Sequence, residues 1–244
     1  GVDIGPGRRL SRWRQSIPVA PWLYTLGVAR FAVQHRPAWQ GLPIETWWDG
    51  QPPYGYLRAP IGRTSATSNL IFDLNDREGA HGPHGLIGGM TGSGKSEILK
   101  TILLGPAATH SPFDLNFALI DYKGGAAFNE LSQLPHTVGV VTDIETHASY
   151  AERVILALTG EIEQRKRILE RARMAFGFGR SHIDEYRQLP IKRPLPRLVI
   201  VFDEFAEFKS RHPEESKRLI GIARQGRSLG VHLILATQNI EAAI

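Results

Sequence analysis

The chain has 244 residues, and its 42% hydrophobic and 22% charged contents are those of a soluble globular protein with a sizeable core. It has no cysteine, which excludes disulfide bonds and thiolate metal sites, and no apolar run near the roughly 18 residues of a membrane span. The net charge of +5 permits an acidic partner such as a nucleic acid.

Residues 1–55 differ from the rest of the chain, since they hold all five tryptophans and seven of the sixteen prolines. Repeated prolines interrupt any helical period, so we expect an arm or linker that packs on the core through its aromatic side chains. The chain begins at Gly1 without a signal peptide, so we also expect a fragment of a longer protein.

Residues 56–244 are predicted to form one domain that begins with a β-hairpin. Two short strand-like runs, Tyr56–Leu57 and Asn69–Leu74, flank the turn-rich stretch Arg63–Ser68. Strands separated by turn-forming residues are typical of a hairpin, which we expect to lie against the core.

A phosphate-binding loop follows the short strand Leu86–Ile87. Residues 86–96 read L-I-G-G-M-T-G-S-G-K-S, which fits the pattern G-x-x-x-x-G-K-[S/T]. Glycines let backbone N–H groups surround a phosphate chain, the lysine binds the β- and γ-phosphates, and the final hydroxyl ligates Mg²⁺. The residues expected to bind nucleotide are Gly89, Met90, Thr91, Gly92, Ser93, Gly94, Lys95, Ser96 and Glu97.

The helix after this loop is predicted from Gly94 or Lys95 to about Leu104, ending at Gly105–Pro106. A second helix is predicted from about Thr146 to Ala175, with Asp143 as its N-cap. Its acidic and basic residues are spaced as i,i+4 pairs, Glu161–Arg165 and Glu163–Arg167. The basic run within it therefore reads mainly as helix surface: Arg165, Lys166, Arg167, Arg171 and Arg173. The arm contains a second basic run, which is either part of a linker or a nucleic-acid contact: Arg8, Arg9, Arg12 and Arg14.

Four further strands alternate with helices, one of them around Pro213–Gly226. The strands are Leu115–Asp121, Thr137–Val141, Leu198–Phe202 and Val231–Thr237. Alternation of this kind, with strands that are apolar throughout, predicts an α/β fold with a parallel sheet flanked by helices. Because the chain ends seven residues after Thr237, we expect the domain to be truncated at its C-terminus.

Asp203 and Glu204 follow the strand Leu198–Phe202 directly and fit the second nucleotide-binding motif. Asp203 is expected to hold Mg²⁺, and Glu204 to orient and polarise the water that attacks the γ-phosphate. Gln238, just past the next strand, is expected either to sense the γ-phosphate or to be an ordinary strand-end amide. Lys95, Glu204 and Gln238 are thus the candidate catalytic residues.

Four other charged residues each have two alternative roles. Arg224 or Arg227 is either an arginine finger for a neighbouring subunit's nucleotide or a helix-surface residue. Asp121 and Lys123, at a strand tip, either support the nucleotide site from behind or only shape a turn. The nine histidines show no ligand spacing, so no transition metal is assigned.

Together these motifs resemble the FtsK/SpoIIIE family of ring-forming P-loop motors. The matching stretches are P-I-G (60–62), G-P-H-G-L-I-G-G-M-T-G-S-G-K-S (82–96), V-I-V-F-D-E-F (199–205) and G-V-H-L-I-L-A-T-Q (230–238). Within the family, I-D-Y-K-G-G-A-A-F (120–128) and L-P-H-T-V-G-V-V-T-D (134–143) look most like the EccC-type ATPase of type VII secretion. DNA translocases of the family tend to have D-P-K without the double glycine.

The resemblance implies a P-loop NTPase with a RecA-like core, ATP and Mg²⁺ as cofactors, and assembly into a ring, with a hexamer expected. It also implies a membrane-anchored parent with tandem ATPase modules, on the cytoplasmic face of the bacterial plasma membrane, that exports small helical proteins. Two rival hypotheses stay open: a double-stranded DNA translocase, and a non-hydrolysing module whose docking is gated by nucleotide.

Overall fold

The computed structural model describes residues 55–65, 68–125, 128–146, 148–179, 181–190 and 195–243. The predicted arm, residues 1–55, lies outside these ranges except for Gly55. The strands are β1 (Arg58–Arg63), β2 (Asn69–Asp73), β3 (His84–Gly88), β4 (Leu115–Asp121), β5 (Thr137–Val141), β6 (Arg197–Asp203) and β7 (Val231–Thr237). The α-helices are α1 (Lys95–Thr109), α2 (Ala148–Phe176), α3 (Ile183–Arg187), α4 (Phe205–Arg211), α5 (Pro213–Leu229) and α6 (Ile240–Ala243). Within those ranges, no helix combines the length and apolar composition that a membrane crossing requires.

Five strands form one parallel sheet in the order β3-β7-β6-β4-β5, which confirms the predicted fold class. All seven residues of β6 and of β7 are buried, as expected for strands covered on both faces. Because the strands are parallel, their last residues lie along one side of the sheet, called here the carboxyl edge. Their first residues lie along the opposite side, the amino edge.

Two apolar clusters cover the two faces of this sheet. One contains buried residues of α1, the hairpin and the segment around Leu131, packed on alternate residues of β4, β6 and β7. The other contains buried residues of α2, α3, α4 and α5, packed on the remaining residues of the same strands. Each fully buried leucine or phenylalanine adds on the order of 2 kcal/mol of hydrophobic stabilisation, so the sheet is a rigid base for its edges.

The predicted hairpin is present, although its first strand was misplaced. β1 pairs antiparallel with β2, from Arg58 opposite Asp73 to Arg63 opposite Asn69. The residues predicted as the first strand precede β1, and Leu57 there has a positive φ of 57°, which is not a strand conformation.

The predicted end of α1 at Gly105–Pro106 was wrong, because the helix continues to Thr109. The proline removes one backbone hydrogen bond, but the residues after it, Ala107 and Ala108, are completely buried. The Thr109 hydroxyl also donates to the Gly105 carbonyl at 3.2 Å, which helps to satisfy the disturbed turn. Tertiary packing therefore outweighs the local helix-breaking signal.

The prediction that Asp143 is the N-cap of the long helix was wrong, because α2 begins only at Ala148, after a 3₁₀ turn at Ile144–Thr146. Asp143 instead precedes that turn, and its carbonyl accepts from Thr146 N at 3.2 Å.

Charge pairing along α2 differs from the prediction at two positions. Glu161 bonds Arg165 at 2.7 Å as expected, but Glu163 pairs with Lys166 rather than Arg167. Arg165 is also not a surface residue: it is 2% exposed and donates to the Leu229 carbonyl at the end of α5. Burial lowers its pKa, and the Glu161 carboxylate opposes that shift.

Candidate functional site

The loop between β3 and α1 is folded by backbone bonds and by glycines in the left-handed region. Gly89 N donates to the Thr237 carbonyl at 3.1 Å, and Ser93 N donates to the Met90 carbonyl at 3.0 Å. Gly92 and Gly94 have φ of 80° and 90°, values that side chains disfavour. The loop is therefore anchored to the carboxyl edge, beside the end of β7.

Gly89 has little space for a side chain. A Cβ at this position would lie 2.4 Å from Ser93 Oγ, so the serine side chain would have to turn away. The loop leads into the N-terminus of α1, where backbone N–H groups suit the binding of phosphate oxygens.

Lys95 joins this loop to the end of β6. Its Nζ lies 2.5 Å from Asp203 Oδ1 and 2.6 Å from Glu204 Oε1, and all three residues are at most 9% exposed. The sequence places the lysine 108 residues before the aspartate, yet the sheet order brings them into one ion-paired cluster.

Glu204 is presented by a strained backbone. Its φ of 58° and ψ of 42° are left-handed, a conformation rare for glutamate, and it forms the turn between β6 and α4. Glu204 N donates to Asp203 Oδ1 at 2.9 Å, which fixes the two carboxyl groups relative to each other. Strain of about 1 kcal/mol or more at such a residue persists only where the surroundings impose it.

The charges of the cluster shift its pKa values. Burial acts to raise the pKa of Glu204, but hydrogen bonds from Lys95 and Gln238 outweigh it and leave the pKa below its ordinary value. Burial likewise acts to lower the pKa of Lys95, and its bonds to the two carboxylates outweigh it and raise the pKa. The glutamate is therefore a carboxylate and the lysine a cation at neutral pH.

Gln238 bridges the phosphate loop and Glu204. Its Nε2 donates to Glu204 Oε1 at 2.8 Å, and its Oε1 accepts from the Thr91 hydroxyl at 2.8 Å. The carboxylate can only accept, so the amide nitrogen must face it, and the amide oxygen then faces Thr91. Because Gln238 contacts both Thr91 and Glu204, a movement of the phosphate loop would shift the Glu204 carboxylate.

The remaining residues of the predicted loop lie around this cluster. Ser96 is half-buried in the first turn of α1, next to Lys95. Met90 is 77% exposed at the tip of the loop. Glu97 is exposed and lies 3.3 Å from Lys100, so in this structure its carboxylate faces its own helix.

Asp121 lies beside Asp203, because the last residues of β4 and β6 are paired in register. Its Oδ1 accepts from Lys123 N at 3.1 Å and Gly124 N at 3.0 Å, which folds the D-Y-K-G-G turn. Burial raises its pKa, and the neighbouring Asp203 charge adds to that shift.

Lys123 does not contact the cluster directly. Its Nζ lies 2.7 Å from a carboxylate oxygen of Glu207, which is on α4 one turn after Glu204. Sequence reasoning did not single out Glu207, because an acidic residue in a short helix carries no motif. The turn and the start of α4 are therefore linked next to the catalytic candidates.

Arg224 and Arg227 lie at the other end of the sheet. They occupy the last two turns of α5, which ends at Leu229 just before β7 begins, and this is the amino edge. Arg227 is ion-paired with Asp76. A seven-residue strand spans about 20 Å, so the structure does not bring either arginine to the Lys95 cluster of its own chain.

Comparison with known proteins gives a consistent result. A sequence profile of the FtsK/SpoIIIE family matches residues 48–242. The ESX secretion system protein EccC of Geobacillus thermodenitrificans is 41% identical over 205 residues, and the type VII secretion system protein EssC of Staphylococcus aureus is 40% identical over 205 residues. These matches cover 82% and 81% of this chain.

The fold is similar to a solved structure as well. The cytoplasmic domain of the Thermomonospora curvata type VII secretion ATPase EccC superposes with a TM-score of 0.72 at 36% identity, over 83% of this chain and 24% of that one. This chain spans only 13% of the length of the two curated relatives. The family match covers most of the chain, and EccC and EssC relatives are similar to it in both sequence and fold, so the chain belongs to the FtsK/SpoIIIE family of P-loop ATPases.

Proposed function

We propose that the chain is an ATP-binding and ATP-hydrolysing module of a type VII secretion motor. The observation that carries the hydrolytic part is the cluster of Lys95, Asp203 and Glu204, with both carboxylates within 2.6 Å of the lysine Nζ. A phosphate-binding lysine beside a metal-binding and a water-orienting carboxylate is the constellation that nucleotide hydrolysis requires.

The donor set fits Mg·ATP. Asp203 and the Ser96 hydroxyl are hard oxygen ligands, which Mg²⁺ prefers, and the glycine cradle from Gly89 to Gly94 offers backbone N–H groups to phosphates. Mg²⁺ neutralises the charge that develops on the phosphate oxygens. Lys95 and a cation would compete for the same carboxylates, so nucleotide binding requires Lys95 to exchange carboxylate oxygens for phosphate oxygens.

Glu204 orients water rather than acting as a strong base. Its lowered pKa keeps it ionised at neutral pH, so it accepts a hydrogen bond from a water that it aligns for attack. Gln238 is hydrogen-bonded to both Glu204 and Thr91, so it couples the conformation of the phosphate loop to the position of the Glu204 carboxylate. Asp121 and Lys123 hold the adjacent turn and the start of α4, and so support Glu204 from behind.

The secretion role is supported by the relatives and by the D-Y-K-G-G turn. EccC and EssC are secretion system proteins by name, and they are far longer than this chain. By analogy, this module works with tandem modules in a parent anchored on the cytoplasmic face of the plasma membrane, acts in a ring, with a hexamer expected, and moves small helical proteins. Arg224 or Arg227 at the amino edge then serves the nucleotide of a neighbouring subunit.

The test is phosphate release from Mg·ATP by the wild-type chain and by Glu204→Gln. The substitution removes the charge that orients the water and keeps the shape, so we expect turnover to fall by about 10²–10⁴-fold with ATP still bound. The matched control is Glu152→Gln, an exposed residue of α2, which should leave turnover unchanged. If Glu204→Gln hydrolyses ATP at the wild-type rate, the proposed catalytic role of Glu204 is wrong. A wild-type turnover that is already low, and that Glu204→Gln does not reduce further, favours the nucleotide-gated docking module.

The DNA-translocase rival is tested on the same chain. It requires hydrolysis that double-stranded DNA stimulates, and DNA binding that weakens steeply between 50 and 200 mM salt, concentrations chosen to expose phosphate contacts. Secretion predicts neither effect. If DNA stimulates hydrolysis and this stimulation is lost in Glu204→Gln, the proposed ATPase activity stands. The proposed cargo then changes from protein to DNA.

A further inference from the structure

A polar cavity lies on the amino edge, at the opposite end of the sheet from Lys95. Its volume is about 520 Å³, and four arginines and a tyrosine dominate its lining. We call it the arginine pocket, defined by Tyr56, Arg58, Arg77, Arg187 and Arg197. These residues come from the entry to β1, the segment after β2, α3 and the first residue of β6, so only the folded chain assembles them.

One side of the arginine pocket is built around Asp73, which is 5% exposed. Its carboxylate accepts from Asn75 N at 3.0 Å, Asn75 Nδ2 at 2.6 Å and an Arg77 guanidinium nitrogen at 2.7 Å. Arg58 Nε lies 3.0 Å from the same carboxylate, but it is buried and its N–H is not aligned for a hydrogen bond to any described acceptor. Asp73 is therefore close to saturated, and Arg58 has donor capacity left.

The other side is built around the ring of Tyr56. The guanidinium carbons of Arg187 and Arg197 lie 5.4 and 5.7 Å from its centroid. Arg187 is ion-paired with Asp114 and Arg197 with Asp184. Burial lowers the pKa of Arg197, and the nearby Asp184 charge opposes that shift. The aromatic face therefore holds both guanidinium groups in place.

The donors of the arginine pocket outnumber its acceptors. Four guanidinium groups carry about twenty N–H donors, whereas three carboxylates offer about twelve lone-pair sites, some of them already used by Asn75. The Leu195 carbonyl accepts one further N–H, from Arg187 Nη1 at 3.1 Å. The charge balance of four arginines against Asp73, Asp114 and Asp184 leaves one positive charge in excess. A cavity with spare, preoriented N–H donors and one unbalanced charge is suited to a single anionic group.

We propose that the arginine pocket binds a carboxylate of an acidic protein segment from outside the described fold. Planar guanidinium groups are well suited to pair with carboxylates, and each arginine of the pocket already has an aspartate carboxylate within ion-pair distance. An excess of one charge is too small for a run of phosphodiesters, each of which brings another negative charge. The volume admits a few side chains, not a folded domain. The EccC relative is far longer than this chain, which spans 13% of it, so a protein segment from outside the described fold is the occupant that we propose.

The experiment measures binding of a fluorescein-labelled hexaglutamate peptide to the full 244-residue chain by fluorescence anisotropy. Arg77→Gln is the informative variant, because this side chain is 55% exposed and Asp73 keeps Asn75 and Arg58 as partners. Arg171→Gln is the matched control, since it removes the same charge from the exposed surface of α2, away from the pocket. Urea unfolding of both variants checks that the fold is retained.

We expect Arg77→Gln to weaken hexaglutamate binding about tenfold, and Arg171→Gln to change it less than twofold. A hexaglutamine peptide should not bind, and a single-stranded DNA hexamer should compete poorly. Equal effects of the two substitutions would mean non-specific attraction and would overturn the proposal. DNA that displaces the peptide as well as unlabelled hexaglutamate does would also overturn it, by identifying the ligand as phosphate. Neither result depends on ATP hydrolysis, so the nucleotide site is tested separately.

Discussion

The two edges of the parallel sheet both carry buried charges, but they hold them in different ways. At the carboxyl edge, Lys95 is the first residue of α1, Asp203 is the last residue of β6, and Glu204 follows it at a strained φ of 58°. The lysine pairs with both carboxylates at once. At the amino edge, Arg187 and Arg197 sit on a regular helix and strand, and each is paired with its own aspartate.

This difference matters for how each edge would bind a ligand. At the carboxyl edge Lys95 pairs with both carboxylates, so under the proposed function a phosphate chain or a cation binds there by replacing these contacts. At the amino edge Arg187 and Arg197 keep their own aspartates, and the arginine pocket would bind through its excess positive charge. Three buried histidines also lie at this edge: His110, His136 and His232.

Acidification should act first on the amino edge. Burial lowers the pKa of His232 to about 3 and those of His110 and His136 to about 4, against 6.5 for the unfolded chain. The unfolded state therefore binds more protons below pH 6.5, and stability falls as pH falls. At pH 6 the loss is about 1 kcal/mol for each histidine, or 2–3 kcal/mol in sum. Urea unfolding at pH 7.5 and pH 6.0 measures it.

The carboxyl edge should not contribute in that pH range. The lowered pKa of Glu204 means that its stabilisation is present above its unfolded pKa of about 4.5 and is lost only below that value. Glu204→Gln should therefore show the same loss between pH 7.5 and 6.0 as the wild type. Equal unfolding free energies at the two pH values would contradict the assignment of neutral buried histidines.

Gly124 tests whether the carboxyl edge depends on backbone conformations that exclude side chains. Its φ is +78°, and a Cβ there would lie 1.7 Å from Asp143 Oδ1. We expect Gly124→Ala to reduce the free energy of unfolding by about 1–2 kcal/mol, part from strain and part from the clash. Gly139→Ala, in β5 with open space and no positive φ, should change it by less than about 0.5 kcal/mol.

Gly124→Ala in an Asp143→Ala background separates the cost of the backbone strain from the cost of the clash. The clash should disappear and leave about 1 kcal/mol of strain. If Gly124→Ala is as harmless as Gly139→Ala in the wild-type background, the D-Y-K-G-G turn does not need its glycine.

Thr91→Val should have the smallest effect, confined to catalysis. It removes the hydroxyl that donates to Gln238 Oε1 at 2.8 Å and keeps the shape of the side chain. We expect kcat to fall about three- to tenfold with KM for ATP nearly unchanged, since one exposed hydrogen bond is worth about 1 kcal/mol. Thr91→Ser should recover most of the rate. A drop that serine does not restore would point to altered packing of the loop instead.

Much of the carboxyl edge could be predicted from the sequence because its residues form contiguous motifs. β4, β5 and β7 have the predicted bounds. Lys95 was predicted from the phosphate-loop pattern, and Asp203 and Glu204 from their position after a strand. The helix end at Gly105–Pro106 was wrong, since the burial of the following turn cannot be read from a local breaker signal. Roles for the individual site residues stay predictions.

The amino edge could not be predicted, because its contacts join segments that are distant in sequence. Arg58 and Arg197 meet in one cavity only because of the strand order and the hairpin, and no spacing in the sequence encodes that. Arg165 was assigned to the surface from its charged neighbours, yet it bonds the Leu229 carbonyl 64 residues away. A site whose residues form contiguous motifs can be predicted from the sequence. A pocket whose residues come from distant segments can be recognised only in the folded structure.

Equilibrium binding of Mg·ATP to the wild type and to Lys95→Ala shows whether the Lys95 cluster is a nucleotide site. Losing the ammonium removes a charge-assisted contact to phosphate worth about 1.5–3 kcal/mol, so we expect Lys95→Ala to bind Mg·ATP at least tenfold more weakly. Arg171→Gln, which removes one positive charge from the exposed surface of α2, should bind as the wild type does. If Lys95→Ala binds Mg·ATP as tightly as the wild type, the cluster is not a nucleotide site.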